Sequence, residues 1–132
     1  MPSRKYLAAM THIEIDTEAL TVQVQGLDKL WSLKSELRIP LSHVSGAALA
    51  EDEARRWWHG IRAPGTHVPG VITAGTFYER EGRVFWDVSK PERAIAIVLH
   101  DDKYAKLVIE VENPADEIAR IEMALAARLK IA

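Results

Sequence analysis

The sequence predicts a mainly β, α+β fold in which about seven antiparallel strands form a barrel. A C-terminal amphipathic helix caps this barrel, and one or two short helices lie in the connections. Three observations support the prediction. Apolar and polar residues alternate with period 2 in several runs between residues 12 and 112. Short segments rich in turn residues separate these runs. The last stretch, residues 113–132, instead shows the period of an amphipathic helix.

The first elements are a hairpin, a short helix and an extended segment. Alternating runs on both sides of "DTEA" predict the hairpin within residues 12–26. In "GLDKLWSLKS", Leu27, Leu30 and Trp31 follow helical spacing, although a strand is also compatible with the pattern. The stretch "ELRIPLSHVSGAALA" then predicts extended chain. Its Pro40 has no N–H for a ladder, which places this strand at an edge or a bulge.

A helix is predicted in "AEDEARRWWHG". Acidic residues occupy its first turn and arginines follow, in agreement with the helix dipole. Glu51 and Arg55 are four residues apart, a spacing that favours an ion pair. Ala50 and Ala54 begin an apolar stripe that continues through the two tryptophans. Gly60 is a suitable residue to end the helix.

Four strands and a final helix complete the chain. The strands are predicted in "VITAGTFYER", "GRVFWDVSK", "RAIAIVLH" and "YAKLVIEVE", with Phe85 and Trp86 on opposite faces. Asn113 and Pro114 suit the first positions of the helix. Its predicted apolar stripe consists of Ile118, Ile121, Leu125 and Leu129.

Composition narrows the classes of protein. The chain has 132 residues, a formal net charge of −2 and no cysteine. We expect one domain at residues 11–132, preceded by a flexible arm at residues 1–10. The lack of cysteine excludes disulfides and thiolate zinc sites and is compatible with a cytoplasmic location. The near-neutral charge argues against a nucleic-acid partner, and no apolar run reaches the length of a transmembrane segment.

The order of elements resembles that of a bacterial pleckstrin-homology-like (PH-like) domain. The resemblance covers roughly residues 12–130 and is carried by "GLDKLWSLKSELRIPLSHV", "GIRAPGTHVPGVITAGTF", "RVFWDV" and "LVIEVENPADEIARI". It implies seven antiparallel strands in two sheets, a C-terminal helix over one opening, and a family of small uncharacterised proteins. Eukaryotic PH domains often bind phosphoinositides through a basic loop between their first two strands. The corresponding loop here, "DTEA", is acidic, so that activity is not carried over.

No pattern in the sequence predicts an enzyme, a metal site or a cofactor. His59 and His67 flank a loop without an acidic ligand. His100, followed by two aspartates, is typical of a polar turn. Ser42 and His43 are neighbours on a predicted strand, so their side chains point to opposite faces. We therefore expect no catalytic residue, no metal and no cofactor.

The densest run of binding-type residues is "RRWWHGIRAPGTHVPG", residues 55–70. Tryptophan and arginine are enriched at interface hot spots, and this run contains no acid. The candidate ligand- or partner-binding residues in it are Arg55, Arg56, Trp57, Trp58, His59, Arg62 and His67. The simpler interpretation is a helix end and a stiff loop, with the tryptophans packed on the barrel.

Three functional hypotheses follow. The leading one is a non-enzymatic PH-like interaction module that associates with itself or with a protein partner, using edge strands near Pro40 and the Arg/Trp surface. The second is a peripheral membrane or small-anion binder that uses the same run of residues 55–70. The third is a ligand-binding protein or enzyme with a pocket near Trp31, Tyr78 and Trp86. Core packing is the simpler role for these aromatic side chains.

Overall fold

Eight strands and two α-helices form the regular structure of residues 11–24, 36–60 and 73–131, the part of the chain that this computed structural model describes. The strands are β1 (Thr11–Ile15), β2 (Ala19–Val24), β3 (Glu36–Pro40), β4 (Val44–Leu49), β5 (Thr73–Glu79), β6 (Gly82–Val88), β7 (Ala94–Leu99) and β8 (Lys106–Glu110). The helices are α1 (Glu51–Gly60) and α2 (Pro114–Ile131), and 3-10 turns cover Leu41–His43 and Pro91–Arg93. The predicted mainly β, α+β class is confirmed. The predicted arm at residues 1–10 and the helix in "GLDKLWSLKS" lie outside the described residues, and the single domain at 11–132 stays a prediction.

The strands form two sheets, of order β1-β2-β3 and β4-β7-β8-β6-β5. The predicted closure into a barrel is wrong, because no strand pairing among the described residues joins one sheet to the other. The sheets meet through a side chain and a turn. Thr11 Oγ1 donates to the Glu110 carbonyl at 2.9 Å, and the 3-10 turn Leu41–His43 leads from β3 into β4. A hydrophobic layer between the sheets completes their contact.

One strand pair differs from the predicted antiparallel arrangement. β6 and β8 run parallel, whereas the other described pairs are antiparallel. Parallel neighbours need a long connection, and residues 89–105, which include β7, supply it. β8 then lies between β6 and β7 and pairs with both. The last strand of the chain is therefore the centre of its sheet.

A turn at Asp16 and a break after Pro40 shape the three-stranded sheet. The predicted hairpin of β1 and β2 is confirmed, and Asp16 Oδ1 accepts two backbone N–H groups of its turn at 2.7 and 2.8 Å.

β3 is an edge strand, as Pro40 predicts. The prediction of continuous extended chain over residues 36–50 is wrong in its middle. The ladder with the hairpin ends at the Leu41 N–H, which donates to the Glu18 carbonyl, and the chain then turns through Leu41–His43 into the other sheet.

The main core lies between the two sheets and beneath α2. Its fully buried side chains include Leu20, Val22, Ile95, Ile97, Leu107, Ile109 and Ile121. On α2, Ile118 and Leu125 also pack against this core, as predicted. Leu129 was predicted in the same stripe but is 72% exposed, so the packed stripe ends before the last turn. Neither described helix is long and apolar enough to cross a membrane.

The outer face of the five-stranded sheet is covered by α1. Ala50 and Ala54 are buried against this face, where the small Ala94 and Ala96 allow the helix to approach closely. Trp86 belongs to this outer cluster, whereas Phe85 belongs to the main core. The predicted alternation of β6 is thus confirmed, and both faces of this strand are buried over residues 84–88.

Candidate functional site

The structure describes part of the Arg/Trp run that the sequence singles out. Arg55 and Arg56 are exposed on α1. Trp57, Trp58 and His59 belong to α1, but their side chains lie outside the described structure, as do Arg62 and His67 altogether. The interface predicted from these residues therefore stays a prediction.

Arg55 is already paired within its own helix. Its Nε and Nη2 donate to Glu51 Oε2 at 3.0 and 2.7 Å, which confirms the predicted ion pair. Glu92 lies 3.8 Å away. The hydrogen bond to Glu51 raises the pKa of Arg55 further above its ordinary value. An anionic ligand at this surface would compete with two carboxylates for Arg55.

The aromatic residues proposed for a pocket divide between core and surface. Trp86 is fully buried, and its Nε1–H donates to Glu79 Oε2 at 2.6 Å. Tyr78 is 78% exposed, with the Arg83 guanidinium 5.8 Å from its ring centroid. Trp31 lies outside the described residues. The packing role predicted for Trp86 is confirmed.

A cleft of about 350 Å³ lies between β3 and the turn that joins β7 to β8. It is lined by Glu36, Leu37, Arg38, Ile39, His43, Asp101, Asp102, Lys103 and Tyr104. One wall is thus formed by the edge strand β3, and the other by a charged turn. This volume is at the lower end of the range for ligand sites, roughly 300–1,000 Å³.

The far wall of the cleft is held by a His–Asp pair. His43 Nδ1 lies 3.0 Å from Asp102 Oδ2, and Asp102 Oδ1 accepts the Tyr104 N–H at 3.3 Å. Because an ionised carboxylate only accepts, Nδ1 is the donor in this hydrogen bond. Asp101, at the tip of the turn, has a φ of 55°, a left-handed conformation that aspartate tolerates better than most residues. The pair therefore fixes the shape of a tight turn.

A second polar pair lies beside the first. Ser45 Oγ is 2.8 Å from His100 Nδ1, and the ring centroids of His43 and His100 are 6.4 Å apart. The serine thus contacts one histidine while Asp102 contacts the other. Among the described side chains these four residues form two separate pairs and not a Ser–His–Asp relay, in which one imidazole joins the acid to the nucleophile.

The backbone of β3 alternates between β2 and the cleft. The Leu41 N–H donates to the Glu18 carbonyl at 2.9 Å, so residue 41 faces the hairpin. In an antiparallel ladder every second residue bonds to the same neighbour. Leu37 and Ile39 therefore direct their N–H and C=O groups to β2, and their side chains are buried in the core.

Glu36 and Arg38 have the opposite arrangement. Their backbone N–H and C=O groups point away from β2, toward the edge that borders the cleft, and their side chains are exposed. No strand in the described ranges pairs with this edge. The Arg38 guanidinium lies 4.0 Å from Asp16 and 3.9 Å from Glu18, and all three side chains are more than half exposed. Such long ion-pair contacts between solvent-exposed side chains contribute little to the stability of the fold.

A separate charged cluster lies where α1 meets the five-stranded sheet. Oxygens of Glu53, Glu79 and Glu81 lie within 4.8 Å of one another, and the Lys106 ammonium donates to Glu53 and, at 2.8 Å, to Glu81. That hydrogen bond lowers the pKa of Glu81, whereas burial raises the pKa of Glu79. Burial opposes the charge on Lys106, but the bonds to its two carboxylate partners outweigh it and raise its pKa. The ammonium thus neutralises carboxylates that would otherwise resemble a metal site.

Glu110 is a buried carboxylate with a structural role. It is fully buried in the five-stranded sheet, and its Oε1 accepts the N–H and the hydroxyl of Ser89, both at 2.8 Å, and the Lys90 N–H at 3.0 Å. These hydrogen bonds link the residues that follow β6 to strand β8. The sequence offered no signal for this role, because "IEVE" also suits alternation on a half-exposed strand.

Comparison of the chain with protein-family models, with curated proteins and with solved structures found no match. The PH-like resemblance therefore stays a prediction. The site is defined by its geometry: an edge strand whose outward backbone groups pair with no described strand and that borders a polar cleft.

Proposed function

We propose that the protein is a non-enzymatic interaction module that binds an extended polypeptide segment by adding it as a strand beside β3. The observation that carries this proposal is the orientation of Glu36 and Arg38. Their backbone donors and acceptors face the cleft, and no described strand uses them. Strand addition satisfies such groups with main-chain hydrogen bonds, and side-chain contacts then select the partner.

The shape of the cleft supports a chain as the occupant. A strand beside β3 would lie about 4.8 Å from it, at the cleft that the turn at residues 101–104 also lines. Lys103 and Asp101 are exposed on this turn and place charges of both signs beside the cleft. The His43–Asp102 bond keeps the turn in place before any partner arrives, which reduces the entropy lost on binding.

The scaffold and the location belong to the same proposal. We propose a PH-like module that acts in the cytoplasm, in line with the resemblance and the cysteine-free composition. A mainly β fold with a C-terminal amphipathic helix supports the first part. The chain differs from the barrel that the resemblance implies in two ways: β6 and β8 run parallel, and no strand pairing among the described residues joins the two sheets.

A proline substitution separates strand addition from other modes of binding. Arg38→Pro removes an N–H that does not bond to β2 and places the pyrrolidine ring at the cleft, so the ladder with β2 is retained. Arg38→Ala removes the same side chain but keeps the N–H, and it is the matched control. We would pan wild type and both variants against a library of random linear peptides.

We expect wild type and Arg38→Ala to enrich peptides that Arg38→Pro does not bind. Circular dichroism and urea unfolding would establish that all three variants are folded. Equal enrichment on Arg38→Pro would contradict the proposal, because it would show that binding does not need the edge of β3. Enrichment of no peptide by wild type would contradict it as well.

A further inference from the structure

We infer that one occupant of the β3 edge is β3 of a second copy of this chain, paired antiparallel with Leu37 opposite the partner's Leu37. This inference rests on the proposed function and names its partner. The pairing would join two three-stranded sheets into one continuous sheet of six strands.

The backbone limits the registers available to such a pair. In each copy Glu36 and Arg38 present both N–H and C=O to the free edge, whereas Pro40 presents a C=O alone. Hydrogen-bonded pairs in an antiparallel ladder must match outward residues with outward residues. Glu36 opposite the partner's Arg38 meets this condition, and by symmetry so does Arg38 opposite the partner's Glu36. Each of these pairs exchanges two backbone hydrogen bonds.

Side-chain charge distinguishes this register from the two adjacent ones, and a register that sets Arg38 opposite Pro40 loses backbone bonds because proline has no N–H. Directly opposed residues place their side chains on the same face, about 5 Å apart. With Leu37 at the centre, each glutamate faces an arginine on the exposed face. A shift that centres the pair on Arg38 brings two arginines together and leaves Glu36 opposite Pro40. A shift that centres it on Glu36 brings two glutamates together.

The structure of one copy leaves these charges available. Glu36 is exposed and has no ion pair with any described residue. Arg38 has its two contacts with the β1–β2 turn at 3.9 Å or more, close to the limit of an ion pair. On the opposite face Leu37 is 5% exposed. The charged face therefore determines the specificity of the pairing.

Charge exchange tests the register directly. We would compare wild type, Glu36→Arg, Arg38→Glu and the double variant Glu36→Arg/Arg38→Glu by sedimentation velocity over a concentration series. The wild type is expected to dimerise. Each single variant turns both cross-strand pairs into repulsive ones, so its dimer should be weaker on the order of tenfold. The double variant restores opposite charges and should dimerise like the wild type.

A mixture of the two single variants gives the most direct test of the register. One chain of Glu36→Arg and one of Arg38→Glu have opposite charges at every cross-strand pair, so they should form a heterodimer tighter than either homodimer. Both positions are exposed, and circular dichroism would establish that the variants fold. A wild type that stays monomeric, single variants that dimerise normally, or a double variant that does not recover would each overturn the inference.

The same experiments separate this inference from the proposed function. If the wild type is monomeric but selects peptides that Arg38→Pro does not bind, the edge binds strands and the occupant is not a second copy. If the wild type dimerises but Arg38→Pro dimerises equally well, self-association uses another surface. In that case the inference fails, whatever the peptide selection gives.

Discussion

Replacing Lys106 with methionine is expected to destabilise the protein in a pH-dependent way. The Lys106 side chain is 12% exposed and binds Glu53 and Glu81, whose side chains are 27% and 45% exposed. Removing one partner of a fully buried pair costs about 3–5 kcal/mol, and an exposed pair contributes at most about 1 kcal/mol. Because the exposure of this cluster is intermediate, we expect Lys106→Met to lower the free energy of unfolding by about 2 kcal/mol at pH 7.

The sign of the pH dependence follows from the carboxylates. The Lys106 ammonium lowers the pKa of Glu81, so its stabilisation is present above the ordinary glutamate pKa and is lost as the pH falls through the lowered value. Without Lys106, the clustered carboxylates of Glu53, Glu79 and Glu81 repel one another while they are ionised. The deficit should therefore be largest near neutral pH and should shrink as the pH falls below about 4.3, the ordinary pKa of glutamate.

Urea unfolding followed by tryptophan fluorescence measures this deficit. At pH 7 the midpoint of Lys106→Met should fall by about 1 M relative to wild type, and at pH 4 the two curves should approach each other. Lys103→Met is the matched control, because Lys103 is exposed on a turn and its loss should cost little. An unchanged midpoint at pH 7, or a deficit of the same size at pH 4, would refute the reasoning.

Two further substitutions test the packing and the first turn, both by urea unfolding. Ile121→Ala removes a fully buried side chain of α2 and should cost about 2–4 kcal/mol, whereas Met123→Ala on the same helix, at a site 72% exposed, should change stability by less than about 0.5 kcal/mol. Similar values for both would show that α2 does not pack as described. Asp16→Ala removes an acceptor of two backbone N–H groups and should cost about 1 kcal/mol. Asp16→Asn should retain most of the stability, because its amide oxygen still accepts these bonds. Equal losses of stability for Asp16→Ala and Asp16→Asn would contradict this role of the side-chain oxygen.

Local pattern predicted most of the elements, because turns and alternation are local properties. The hairpin around Asp16 and the four strands from β5 to β8 lie where period-2 runs and turn residues indicated. The parallel pairing of β6 with β8 was not predictable in this way. Alternation determines which face a side chain occupies, but it carries no information about which strands become neighbours. In the helix α2 the apolar period continues to Leu129, although the packed surface ends earlier.

The candidate site depends on contacts between distant parts of the chain. His43 and Asp102 are far apart in sequence and meet because Val44 pairs with Leu99 in the ladder of β4 and β7. The sequence suggested an ordinary polar turn at His100 and the two aspartates that follow it, and this pattern does not indicate a contact with His43. Pro40 did predict the edge strand, since a residue without an N–H cannot lie in the middle of a sheet.

The break at Pro40 explains why the proposed recognition would depend on charge. Pro40 ends β3, and the 3-10 turn that follows leads into β4, whose pairing with β7 brings the turn at residues 101–104 opposite the edge. Pro40 thus limits the described edge at its C-terminal end, because it has no N–H to offer an added strand. Along the described residues an added strand bonds to Glu36, Arg38 and the Pro40 carbonyl, and backbone bonds do not distinguish one sequence from another. Discrimination must come from the side chains that face the new strand, which on the exposed face are Glu36 and Arg38.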